Sequence, residues 1–130
     1  MTNKIVLDSC VWIGLCDEND SLREQSLVLA ESFPFGEVCV PEYIYSEVLT
    51  RLRAKVGIDS CKVFAKALSS LGLTVRLTTL NLLETGSRIF FSRGENLSFT
   101  DCMLLAEAKR NKMKVLTFDK VLKKALRELT

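Results

Sequence analysis

Short unbroken apolar runs alternate along this chain with longer stretches in which apolar positions recur at helical spacing. Ile5-Val6-Leu7, Val38-Cys39-Val40, Leu73 to Leu77 and Val115-Leu116-Thr117 are runs of the first kind, the pattern of strands buried on both faces. Helical spacing predicts helices between them. One covers residues 21–33, where Leu22, Leu29 and Phe33 stand in a polar background, and another covers 41–55. Pro41 suits the start of the second, because its missing N–H falls among the unpaired donors of a first turn. A third covers 58–71 and stops before Gly72, a common terminator. A fourth covers 80–92, with Leu82, Leu83, Ile89 and Phe90, and Ser92-Arg93-Gly94-Glu95-Asn96 then reads as a loop. Ser98 begins a fifth helix that ends in the polar run 109–112. The last starts near Asp119, with Val121, Leu122, Ala125, Leu126 and Leu129 as its apolar stripe. Strands separated by helices predict an α/β fold, a mostly parallel sheet covered by helices on both faces. Ligands of such sheets bind beyond the carboxyl ends of the strands.

Composition narrows this picture. With 130 residues, 48% of them hydrophobic, the chain suits one domain over 1–130 with a real core. Its charged residues are interspersed and no apolar run approaches a membrane span, so a soluble protein is expected. The apolar run Ile5-Val6-Leu7 is too short for a signal peptide, which predicts a cytoplasmic location. Cys10, Cys16, Cys39, Cys61 and Cys102 form no C-x-x-C pair, and the chain has no histidine. That argues against zinc and for reduced cysteines serving as small core residues.

The net charge of +2 conceals an asymmetry, because Lys109, Arg110, Lys112, Lys114, Lys120, Lys123, Lys124 and Arg127 crowd the last segment while the rest of the chain is acidic in balance. Such an end can neutralise the phosphates of a polyanion, although a solvated helix face is its commoner meaning.

Without histidine, hydrolytic chemistry at neutral pH would most naturally come from a cation gathered by acids. Asp8 follows the first strand and Asp119 the last, so in a parallel sheet both point toward the ligand-binding edge. Each also suits an N-cap. Asp101 lies in Ser98-Phe99-Thr100-Asp101, a capping-box pattern. Glu47 borders the apolar stripe of the 41–55 helix, an unusual place for a charge, or forms a surface pair with Arg51 at i,i+4. Their combination favours a site over four separate caps and pairs. Carboxylates gathered at one edge repel one another unless a cation joins them, and Mg²⁺, an oxygen-seeking ion that keeps several waters, suits an all-acid set. The chemistry that follows is metal-assisted phosphodiester hydrolysis.

At these residues the chain resembles the PIN-domain family of metal-dependent ribonucleases, in particular the VapC-type toxins of prokaryotic toxin–antitoxin pairs. The resemblance spans nearly the whole chain. It is carried by Ile5-Val6-Leu7-Asp8-Ser9, Ser46-Glu47-Val48-Leu49, Ser98-Phe99-Thr100-Asp101 with Leu104-Leu105-Ala106, and Leu116-Thr117-Phe118-Asp119. It implies a PIN-like three-layer α/β/α fold with strand order 3-2-1-4, or 3-2-1-4-5 where a fifth strand is present. It further implies Mg²⁺ or Mn²⁺ held by Asp8, Glu47, Asp101 and Asp119, which also serve as the catalytic acids, with Ser9 and Thr117 orienting them. The implied partners are single-stranded RNA as substrate, a small antitoxin and a second copy in a homodimer. Two departures stand out: Cys10 occupies a position where many members have Ser or Asn, and the stretch after Asp119 lacks a further Asp-Phe. A receiver-type phosphorylation domain fits poorly, since Asp8 is followed by Ser9-Cys10 instead of a second acid. A catalytically silent PIN-like scaffold that binds RNA or protein is the remaining alternative, and metal-dependent RNA cleavage separates the two.

Overall fold

Val6 and Leu7 are completely buried, and the strand they belong to, β1 (Ile5–Leu7), forms the middle of a four-stranded sheet with order β3-β2-β1-β4. The structure, a computed structural model, describes residues 4–93 and 96–129. Met1 to Asn3, and Gly94 and Glu95 of the expected loop, lie outside them. β2 (Val38–Pro41), β3 (Val75–Arg76) and β4 (Lys114–Leu116) complete the sheet. Its three pairings are all parallel, with Leu7 in register with Leu116 and Val40 with Val75. No fifth strand occurs among the described residues.

Among the described residues, seven α-helices make up the outer layers. α1 (Ser9–Cys16), α2 (Arg23–Ala30), α3 (Glu42–Lys55) and α4 (Ile58–Ser70) pack among themselves, while α6 (Phe99–Asn111) packs against α5 (Leu80–Arg93) and α7 (Lys120–Arg127). The α/β/α arrangement matches the expectation. Ile44, Val48 and Leu52 carry α3 onto the core, and Phe64 and Leu68 carry α4. Gly72, at φ 72°, ends α4 in the left-handed conformation that glycine adopts without strain.

The differences from expectation have local causes. α1 has no apolar stripe to announce it: Val11, Trp12, Ile13 and Gly14 are all buried, so it lacks the one-sided pattern that marks a surface helix. Its burial rests on Gly14, where an added Cβ would lie 2.0 Å from Ser26 Oγ on α2. α2 stops at Ala30 instead of reaching 33, in keeping with Pro34, which disfavours helical backbone in the residue before it. β3 is reduced to Val75–Arg76 at the sheet edge, leaving Leu77 73% exposed. β4 ends at Leu116, so Thr117 and Phe118 intervene before Asp119, which does not directly follow the strand. Ser92 and Arg93 belong to α5, not to the expected loop. On α7 only Leu122 and Ala125 of the expected stripe are buried, and Val121 and Leu129 are exposed.

Behind the sheet, Glu107 of α6 is wholly buried. Arg76 of β3 forms an ion pair with it, Tyr43 donates its hydroxyl at 2.9 Å, and Asn111 donates its amide at 2.9 Å. Burial, then the Glu107 charge, pushes the Tyr43 phenol up, which keeps its proton in place as a donor.

Candidate active site

The β1–β4 register decides where the site forms. Because Leu7 pairs with Leu116, the next residues, Asp8 and Thr117, emerge side by side at the carboxyl edge, and Asp8 N–H donates to Leu116 O at 2.9 Å. Thr117 Oγ1 then donates to Asp8 Oδ2 at 2.6 Å, while Ser9 N–H donates to Asp8 Oδ1 at 2.7 Å. Thr117 also accepts from Asp119 N–H at 3.0 Å, so one hydroxyl fixes the loop between the two acids. Asp8 is therefore held in one orientation while remaining only 6% exposed. Its carboxyl is raised above the ordinary value of 3.8, chiefly by burial and further by the Glu47 charge, against the hydrogen bonds from Thr117 and Ser9.

The other acids arrive from helices. Glu47 is half-buried on α3 beside Ile44 and Val48, and Ser9 Oγ donates a hydrogen bond to its Oε2. Asp101 stands in the first turn of α6. The capping box read from Ser98-Phe99-Thr100-Asp101 is present, with Asp101 N–H donating to Ser98 Oγ and Ser98 N–H to Asp101 Oδ2, each at 3.1 Å. Asp119 caps α7, where its Oδ1 accepts from Val121 and Leu122 N–H at 2.8 and 3.0 Å.

Capping does not remove these acids from a site. Asp8, Glu47, Asp101 and Asp119 all line one open cavity of about 440 Å³, together with Ser9, Cys10, Leu22, Arg51, Ser98 and Phe118. Asp101's carboxyl is raised first by burial and then by the charges of Asp8 and Asp119, so the acids act on one another across this space. Thr117 stands behind the cavity wall and reaches it through Asp8.

Three further residues of the wall stand beside the acids. Arg51 is placed by the same i,i+4 spacing that suggested a surface pair with Glu47, but its Nη1 donates to Ser9 Oγ at 3.0 Å, and the hydroxyl joins the two. Cys10 is half-buried beside Asp8 Oδ2, at 3.6 Å, and Thr117 Oγ1, at 3.7 Å. Burial and the Asp8 charge push its thiol up to about 11, so it is a neutral wall group. Phe118 separates the acid cavity from a second, more apolar one of about 450 Å³ formed with Glu24, Gln25, Val28 and Leu29 of α2. Cys39, Cys61 and Cys102 are buried and unpaired, as expected of reduced core cysteines.

Among the described residues, no three acid or cysteine side chains stand close enough together to encage an ion by themselves. The donor set still suits a hard cation. Mg²⁺ commonly takes one or two carboxylates and fills its remaining positions with water and substrate phosphate, and mutual repulsion of the kind acting on Asp8 and Asp101 is what a cation relieves.

The sequence matches the PIN domain over residues 5–127, almost its full length, and the chain belongs to that family. Among solved structures, its fold is similar to that of VapC20 from Mycobacterium tuberculosis, a toxin that cleaves the sarcin-ricin loop. The two share 20% identity over 93% of this chain and 94% of that one, with a TM-score of 0.82. Comparison with curated proteins gives no match.

Proposed function

We propose that this PIN domain is an endoribonuclease that cuts single-stranded RNA with the help of Mg²⁺ or Mn²⁺, acting as the toxin of a toxin–antitoxin pair. The observation that carries the reading is the gathering of Asp8, Glu47, Asp101 and Asp119 around one open cavity at the carboxyl edge of the sheet. Asp8, Glu47, Asp101 and Asp119 would hold the ion between them, with water and substrate phosphate filling its remaining positions. When bound, the ion supplies Lewis-acid polarisation of the phosphate and a more acidic water. The chain's own residues supply orientation: Thr117 and the Ser9 N–H fix Asp8, Ser9 Oγ fixes Glu47, and the Asp119 cap leaves its second oxygen outside the two cap bonds. A toxin role, with a small antitoxin as partner, draws support from the likeness in fold to VapC20. Pairing with a second copy draws support from α5, which exposes Leu80, Leu83 and Phe91. A cytoplasmic location is part of this reading; no described helix is long and apolar enough to cross a membrane.

The experiment is cleavage of single-stranded RNA by the purified protein. Products with 5′-phosphate and 3′-hydroxyl ends are expected with Mg²⁺ or Mn²⁺ and none with EDTA. Full activity in EDTA contradicts the mechanism, and RNA binding without cleavage favours the silent scaffold.

Melting Asp101→Asn with and without Mg²⁺ separates the metal role of Asp101 from its capping role. Asparagine keeps an oxygen for the Ser98 N–H, and the bond from Asp101 N–H to Ser98 Oγ does not involve the carboxyl, so the box survives while the charge is lost. Because the folded-state carboxyl is raised from 3.8, its contribution to stability is fully present below that value and is lost as pH rises through the raised one. At neutral pH the metal-free variant should therefore melt no lower than wild type. Mg²⁺ should stabilise wild type by mass action and the variant much less. A variant that is weaker by about 0.5–2 kcal/mol without metal, yet stabilised by Mg²⁺ as fully as wild type, would make Asp101 a cap alone.

A further inference from the structure

The acid cavity has one basic side chain in its wall, Arg51, and its surroundings leave it free for a ligand. Arg51 is exposed on α3. Apart from the single bond from Nη1 to Ser9 Oγ at 3.0 Å, its guanidinium donors have no hydrogen-bond partner among the described residues. No nearby acid forms an ion pair with it, although Asp20 feels its charge. Lys55, one turn further along α3, lies 3.2 Å from Asp17 Oδ2 and also bonds Asp20. Glu47, which i,i+4 spacing would offer to Arg51, is instead occupied by the Ser9 hydroxyl.

That arrangement points outward. A guanidinium has five N–H donors in a planar fork that matches two oxygens of a phosphate, and here one donor is anchored on a side chain that lines the cavity. The wall is otherwise strongly negative, so a polyanion entering it meets repulsion at every charged group except this one. An exposed Arg paired only with a neutral hydroxyl gives up little hydration and no ion pair when it takes a phosphate.

We infer that Arg51 binds a backbone phosphate of the single-stranded RNA next to the acid quartet, with Ser9 keeping the guanidinium apart from Glu47. This rests on the ribonuclease reading and assigns Arg51 a substrate contact, as distinct from a role in orienting Glu47 through Ser9.

The test compares Arg51→Gln and Arg51→Lys with wild type in steady-state cleavage, and measures RNA binding for the same substitutions in an Asp8→Asn background where turnover is strongly slowed. In Arg51→Gln, KM should rise about tenfold with kcat within about threefold, since a lost phosphate contact weakens binding more than chemistry. The slope of log binding constant against log salt should flatten by about 0.7, the value for one contact to a single strand. Arg51→Lys should restore most of the salt slope and only part of the KM, because the charge returns without the fork. A fall in kcat with KM and salt slope unchanged would overturn the inference and leave Arg51 as a positioning residue for Ser9 and Glu47. The binding arm keeps the two readings apart: absence of wild-type cleavage defeats the ribonuclease reading, whereas an unchanged salt slope in Arg51→Gln defeats the phosphate contact whether or not the wild type cleaves.

Discussion

Replacing Asp8 or Asp101 with asparagine should lower RNA cleavage by about two to three orders of magnitude, the scale on which removal of one preorganised charged or polar group acts at a reacting centre. The two variants should fail for different reasons. Asp8 is the most constrained of the acids, held at both oxygens by Ser9 N–H and Thr117 Oγ1. An asparagine there offers one acceptor where two are needed and turns an NH₂ toward one of those donors, so orientation is disturbed as well as charge. Asp101 bonds within its own helix turn, and asparagine preserves that bond, so its loss is one of charge alone. Rates measured in Mg²⁺ and Mn²⁺ with intact circular dichroism check the prediction. Either variant retaining wild-type activity would remove that acid from the mechanism.

The four acids that line the cavity were legible as candidates in the sequence because each follows from a local rule. Asp8 ends a buried apolar run, Asp101 lies in a capping-box pattern, Asp119 begins an amphipathic helix, and Glu47 is a charge beside an apolar stripe. Capping and cavity lining are not alternatives: Asp101 and Asp119 make their cap bonds and line the cavity as well. The sheet was legible for the same reason. Its parallel order comes from strands separated by helices, although the edge strand β3 is shorter than its apolar run, since with a single neighbour little holds Leu77 in the ladder. What sequence did not reveal depends on pairing across long separations. Thr117 touches Asp8 because of the β1–β4 register, and Ser9 meets Glu47 and Arg51 because α1 lies beside α3. The helix α1 itself was hidden by being apolar on every side. Cys10, read as a core residue, reaches the cavity because it follows Asp8 by two residues in the first turn of that helix.

The largest loss of stability should come from Arg76→Ala, a residue outside the proposed catalytic set. Glu107 is fully buried, and Arg76 is the cation that balances it. Removing one partner of a buried ion pair typically costs about 3–5 kcal/mol because the other charge is left uncompensated. Arg76 is itself 38% exposed, so water can partly replace it, and the lower end of that range is expected. For a domain of this size such a loss lowers the melting temperature by roughly 10 °C. Glu107→Gln should cost less, since a neutral amide of the same shape still accepts from Tyr43. The double variant should be more stable than Arg76→Ala alone, because the stranded charge has gone. The consequences extend toward the active site. Tyr43 lies one turn before Glu47 on α3, and Glu42, the first residue of that helix, accepts the Thr78 N–H at 2.6 Å just beyond β3. The Glu107 cluster thus pins the start of the helix that carries Glu47 and Arg51 into the acid cavity. Thermal melts of the three variants decide the point: if Arg76→Ala melts within about 2 °C of wild type, or the double variant melts lower than Arg76→Ala, Glu107 does not depend on Arg76 for its burial.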